Sequence, residues 1–161
     1  MKRWLLILMV VLLSIHVNAA EETEVSEDLL EAEGQIFTIK VKSAEIMETA
    51  DDYGTEVEPK KGDVFLLIQL EAKNISDEDD YFNRFSFLGY ADDFEAEQTD
   101  YLLTDDWDGM MTGDIVAGKG MRGYLIYEVP EDWKVFELDF EEKYDEPKLK
   151  LMFTAKSDVF E

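Results

Sequence analysis

The stretch GDIVAGKGMRGYLIYEVP, Gly113 to Pro130, admits two incompatible readings. Its first half comes within one residue of a phosphate-binding loop. That pattern is G-x-x-x-x-G-K followed by Ser or Thr; Gly113, Gly118 and Lys119 fall in place, but Gly120 stands where a hydroxyl should hold Mg²⁺. The second half decides the matter. A phosphate loop leads into a helix whose N-terminus faces the anion. Here MRGYLIYEV alternates instead, with Met121, Gly123, Leu125 and Tyr127 on one side and Tyr124, Ile126 and Glu128 on the other. Pro130 then bars helical continuation. The stretch is a turn feeding a β-strand. Gly113, Gly118 and Gly120 are expected to tolerate positive φ there, with Lys119 facing solvent.

The same period of two recurs on both sides. In IFTIKVKSAEIM, Phe37, Ile39 and Val41 share one face while Lys40 and Lys42 take the other. In DVFLLIQLEAKN, Val64, Leu66, Ile68, Leu70 and Ala72 define a buried face against a partly wet one carrying Gln69, Glu71 and Lys73. RFSFLGYADDFEAEQTD reads as two short strands around a turn at Asp92-Asp93. Phe136, Leu138 and Phe140 alternate inward, as do Leu149, Leu151 and Phe153. The segments ADDYGTEVEPKKGD and NISDEDDYFN read as polar loops, and Tyr101 to Val116 as loop-rich. About seven strands with no helical pattern predict an all-β fold, an antiparallel β-sandwich.

The N-terminus carries Lys2-Arg3, an apolar run from Trp4 to Leu13, and small residues at Val17-Asn18-Ala19. This is the layout of a signal peptide (1–19) with cleavage expected after Ala19, a retained anchor being the alternative. The run is short for a span, so no stable membrane span is expected in the mature form. Residues 20–34 contain seven acidic residues and few apolar ones, predicting a flexible acidic linker ahead of a single domain over 35–161. Net charge is −24, and losing Lys2 and Arg3 takes it to about −26. Such a field disfavours nucleic acid and nucleotides as partners and favours cations or a basic protein. The chain has no Cys, and its only His, His16, lies in the signal. That excludes Cys/His zinc sites, thiol chemistry, Ser-His-Asp triads and disulfide staples from the mature chain.

Two groups of residues could carry function. Asp105, Asp106 and Asp108 crowd the stretch TDDWDG, and Asp-rich loops ending in Gly can wrap Ca²⁺. An EF-hand is excluded, because Thr104 replaces its first Asp and Ile115 its closing Glu. Aromatics at strand ends, chiefly Tyr101, Trp107 and Trp133, with Tyr81, Phe82 and Tyr90, could form an interaction patch; Trp107 and Trp133 could equally cap the core. Carboxylate pairs for hydrolysis can be nominated anywhere among 39 acidic residues, so they point to no site. Asn74-Ile75-Ser76 matches a glycosylation sequon.

Taken together, GDVFLLIQLEAKN and GDIVAGKGMRGYLIYEVPEDW resemble the telokin-like, immunoglobulin-fold domains of unknown function in secreted bacterial proteins and lipoproteins. There a strand beginning Gly-Asp, alternating apolar residues and ending in Asn is typical, as is a Gly-containing turn before an aromatic-rich strand ending Glu-Val-Pro. The resemblance spans roughly Gln35 to Ala155 and implies an immunoglobulin-like β-sandwich in an exported setting. Two departures stand out: the lipobox Cys of many relatives is missing, and Ala117 replaces the usual Pro before the turn Gly. The expectation is a secreted, non-enzymatic binding or interaction module without a resident cofactor, its partner an unknown protein or cell-envelope ligand of basic character. The alternatives are a Ca²⁺-binding version using the acidic loops and, further off, a carboxylate-dependent hydrolase.

Overall fold

Alternating segments become strands throughout the computed structural model, which describes residues 28–100, 109, 111–143, 147–156 and 158–160. Seven are long enough to show their period in sequence: β2 (Phe37–Met47), β5 (Asp63–Asn74), β7 (Phe87–Ala91), β8 (Phe94–Thr99), β10 (Gly120–Pro130), β11 (Val135–Phe140) and β12 (Leu149–Thr154). Five more, β1 (Glu31–Glu33), β3 (Ala50–Asp52), β4 (Thr55–Val57), β6 (Asp80–Asn83) and β9 (Thr112–Ile115), run three or four residues. At that length alternation has no room to register, so segments expected to be loops prove to hold strands. One turn of 3₁₀ helix, Arg84–Ser86, precedes β7.

The main sheet has eight strands in the order β1-β2-β5-β10-β8-β7-β11-β12, all antiparallel. It folds over on itself at β8. Residues Phe94 to Ala96 pair with β7, while Glu97 to Thr99 pair with β10. One strand thus belongs to both layers of the sandwich, the corner device of strands that switch sheets. The layers enclose a core of alternate side chains: Phe37, Ile39 and Val41 from β2, Leu66, Ile68, Leu70 and Ala72 from β5, and Leu125, Tyr127 and Val129 from β10. Phe136, Leu138 and Phe140 of β11 face them with Leu151 and Phe153 of β12. A bulge at Lys42 shifts the β2 register, which is how Ala44 points inward after Val41.

Phenylalanines fill one end of the core. Phe37 meets Phe82 edge-on at 5.1 Å, and Phe87 lies 4.5 Å from Phe140. At the other end Trp133 packs edge-on against Phe136 and Phe153. A second, smaller cluster sits on the outer face, where Phe65, Leu67, Tyr124 and Ile126 lie with Ala50, next to Met47 and Val57. The β3–β4 hairpin contributes Ala50 and Val57 to this cluster. This is why both faces of β5 are apolar at its centre, where a partly wet outer face was expected.

The expected linker over 20–34 is described from Asp28 onward, and there it is structured. β1 pairs with β2, and Leu29 exchanges two backbone hydrogen bonds with Met152 of β12, at 2.7 and 2.8 Å. The two edges of the sheet are therefore bridged. Acidic side chains did not prevent this, because Glu31 and Glu33 point to solvent while Leu30 and Ala32 pack on the core.

A single carboxylate fixes the entry to β2. Glu142 accepts hydrogen bonds from three successive backbone N–H groups, those of Gln35 (2.8 Å), Ile36 (3.1 Å) and Phe37 (2.6 Å). A Cβ on Gly34 would overlap that carboxylate. Charge-assisted bonds of this kind are the stronger ones. Glu142→Gln replaces one acceptor oxygen by an NH₂ that faces other donors, so it should lower stability by about 1–2 kcal/mol in urea unfolding. An unchanged midpoint would show the clamp to be idle.

Candidate functional site

The amides at the turn of the glycine-rich stretch Gly113–Gly120 are committed to the fold. The Gly118 N–H donates to the Asn74 carbonyl and the Lys119 N–H to the Val116 carbonyl, while the Ala117 N–H donates to Asp79 Oδ1. Gly118 has φ +71°, as a turn requires. Gly113 is also positive, at +147°, but Gly120 is not among the positive-φ glycines. Gly120 is a strand residue of β10 paired with Lys73, a correction to the expectation that it served the turn.

The sequon is likewise absorbed by the fold. Asn74 is fully buried. Its Nδ2 donates to the carbonyls of Glu78 and Ile115, each at 2.8 Å, and its Oδ1 accepts from the N–H and hydroxyl of Ser76. Asn74 thereby ties the end of β5 to the acidic loop and to β9. The nitrogen a glycan would need is inside the protein.

Of the aromatics nominated from sequence, Trp133 is 5% exposed and belongs to the core, so it offers no interaction surface. Its indole is large enough to close the end of the sandwich against Phe136, Phe153 and Phe160. Phe82 is buried and Tyr81 exposed. Tyr101, Trp107, Asp105, Asp106 and Asp108 lie outside the described residues. Among the described residues no group of three acidic side chains is placed to hold a metal. The other acidic turns have local tasks. Asp92 accepts from the N–H groups of Lys134 and Val135, and both Asp92 and Asp93 take positive φ at the β7–β8 turn.

That hairpin brings together a group the sequence did not single out. Phe94, just past the turn, is 78% exposed, the highest among the large apolar side chains of the described residues. It walls a groove of about 270 Å³ with Glu95 and Glu97 of β8, Glu128 and Pro130 of β10, and Lys60 from the loop before β5. Lys60 spans the groove. Its Nζ donates to Glu97 at 2.8 Å and Glu128 at 3.1 Å, and its backbone N–H donates to Glu128 Oε1 at 2.5 Å. The hydrogen bonds to Glu97 and Glu128 push the Lys60 ammonium above its ordinary range, and the bond from Lys60 holds Glu97 below the usual carboxylate range. Asp63 also lines the groove, so four carboxylates and one ammonium line it. With ten phenylalanines in the chain, nothing in the sequence marks Phe94 apart; its exposure follows from its place at the rim.

Comparison with known proteins agrees with this architecture. The chain is similar in structure to the candidate lipoprotein ycdA of Bacillus subtilis, at 18% identity over 82% of its length with a TM-score of 0.64. It spans 40% of the length of that protein. It is also similar to the yjhA protein of Bacillus subtilis, at 15% identity and a TM-score of 0.57, covering 71% of this chain and 81% of that one. At such identities the likeness is one of fold. No curated protein is matched by the sequence. No helix among the described residues is long and apolar enough to cross a membrane. A family model does match, over residues 13–149, from within the apolar N-terminal run to the start of β12. The protein is a β-sandwich member of the family described as Domain of unknown function (DUF4352).

Proposed function

We propose that the protein is an exported, non-enzymatic immunoglobulin-like module that binds a basic segment of a protein or cell-envelope ligand at the Phe94 groove. The observation that supports this is Phe94 itself, a phenylalanine left in solvent beside carboxylates that outnumber the one cation near them. An exposed ring offers area and a π-face to an incoming Lys or Arg, and the carboxylates steer it there. Lys60 holds the groove walls together and occupies the position an incoming ammonium would contest. Export rests on the basic, apolar and small-residue order of residues 1–19.

The test uses short lysine-rich and arginine-rich peptides, titrated against wild type and Phe94→Ala. Affinity should weaken with salt and fall by about tenfold in the variant, at an unchanged melting temperature because the ring is exposed. Equal affinity of both proteins for every basic peptide would remove Phe94, and this reading with it.

A further inference from the structure

The seam where the sheet closes has a chemistry of its own. β1 lies between β2 and β12, antiparallel to both. Glu31 pairs with Lys40, and extending the register of the isolated Leu29–Met152 bridge would bring Glu31 level with Lys150 and Glu33 level with Lys148. Lys42 stands next along β2. All four lysines are exposed, in a chain with 15 basic against 39 acidic residues. Basic groups are scarce here, yet Lys40 and Lys42 on β2 and Lys148 and Lys150 at the start of β12 all lie on or next to the two strands that the acidic segment bridges. That is charge complementarity along a strand.

The occupant is held lightly. Leu29 is 45% exposed, and the Lys40–Glu31 pair, at 3.0 Å, is about half exposed on both sides. Lys150 is paired with Glu137 and Asp139 of the neighbouring β11. Hydrogen bonds do much of the holding: two backbone bonds between Leu29 and Met152, one from the Val41 N–H to the Leu30 carbonyl, and one from the Thr154 N–H to the Asp28 carboxylate. β2 and β12 keep their inner partners, β5 and β11, when β1 leaves. Short, exposed elements with few apolar contacts open below the free energy of global unfolding.

We propose that the β2–β12 seam is an acceptor site for acidic extended strands, gated by the chain's own segment Asp28–Glu33, which lifts away while the sandwich stays folded. An incoming strand adds to the two bared edges through main-chain hydrogen bonds, and its carboxylates meet Lys40, Lys42, Lys148 and Lys150. This site lies outside the Phe94 groove and selects the opposite charge.

The chain lacks cysteine, so a lock is easily installed. In the full chain, a labelled peptide of sequence DLLEAEG (Asp28–Gly34) is the probe. It should bind wild type, lose about tenfold or more of its affinity in Lys40→Glu/Lys148→Glu, and fail to bind once Leu29→Cys/Met152→Cys is oxidised. Reduction should restore binding. Independently, native-state hydrogen exchange should find the Val41 and Met152 amides at least about tenfold faster than those of Leu66 and Tyr127. The absence of peptide binding, or binding indifferent to the lock, overturns the proposal. So does exchange of the Val41 and Met152 amides only through global unfolding.

Discussion

Replacing Asn74 with alanine should remove about 3 kcal/mol of stability, enough to shift a urea midpoint plainly, because buried groups left without partners cost more than their hydrogen bonds contributed. Four bonds vanish together, and the Glu78 and Ile115 carbonyls and the Ser76 hydroxyl and N–H lose this partner. Asn74→Asp is the sharper experiment. Its shape is conserved, but an ionised carboxylate would face the two carbonyl oxygens that Nδ2 now serves. Ionisation is therefore harder in the folded protein than in the unfolded chain, and the folded-state pKa of the new Asp stands above its unfolded value. The sign follows. The defect is complete above the folded pKa and shrinks as pH falls through it, since the protonated acid can donate again. Unfolding of wild type and Asn74→Asp at neutral and acid pH measures this, and a defect independent of pH would contradict the role given to Nδ2.

Gly123→Ala is the second substitution expected to do severe damage, with a loss of about 2–3 kcal/mol from overpacking. Gly123 is paired with Leu70 in the middle of β10 and is not among the positive-φ glycines. It is glycine because a Cβ there would overlap the Gly109 carbonyl oxygen and Met111 Cγ. One of these is backbone and the other belongs to a core side chain that is 1% exposed, so neither yields cheaply. Thermal melting of Gly123→Ala beside Gly118→Ala separates the two uses of glycine, since a Cβ at Gly118 meets open space and strains only φ. Equal, small losses in both would mean that the segment before β9 moves aside freely.

How far the sequence carries depends on length of pattern. The seven long strands each repeat their alternation at least twice, and they form the sandwich as expected. β1, β3, β4, β6 and β9 do not; β3 and β4 pair across a tight hairpin too short to show a period, and β6 finds its partner β9 about thirty residues on. Glu33 and Glu31 illustrate the difficulty: acidic composition argues for a loose linker, while strand formation needed only Leu30 and Ala32 and two waiting edges. Asn74 was visible as the residue ending an apolar strand, but its burial was not, because a sequon and a capping amide are spelled alike. Trp133 could be read as core or surface until Phe153 and Phe160, from the far end of the chain, closed around it. Phe94 and Lys60 carry no sequence signal, since their groove joins the loop before β5, the β7–β8 hairpin and the end of β10, and no local spacing links them.

The Thr154–Asp28 hydrogen bond joins residues 126 positions apart. During synthesis Asp28 is therefore made 126 residues ahead of the strand residue it bonds. Until β12 is made, β1 covers β2 while the outer edge of the Leu29–Glu33 segment lacks its partner, the condition in which β-strands cross-associate. Glu31 and Glu33 lie on that segment with their side chains exposed. Charged side chains on an exposed strand disfavour edge-to-edge pairing, so Glu31 and Glu33 serve as guards of the edge that β12 later meets.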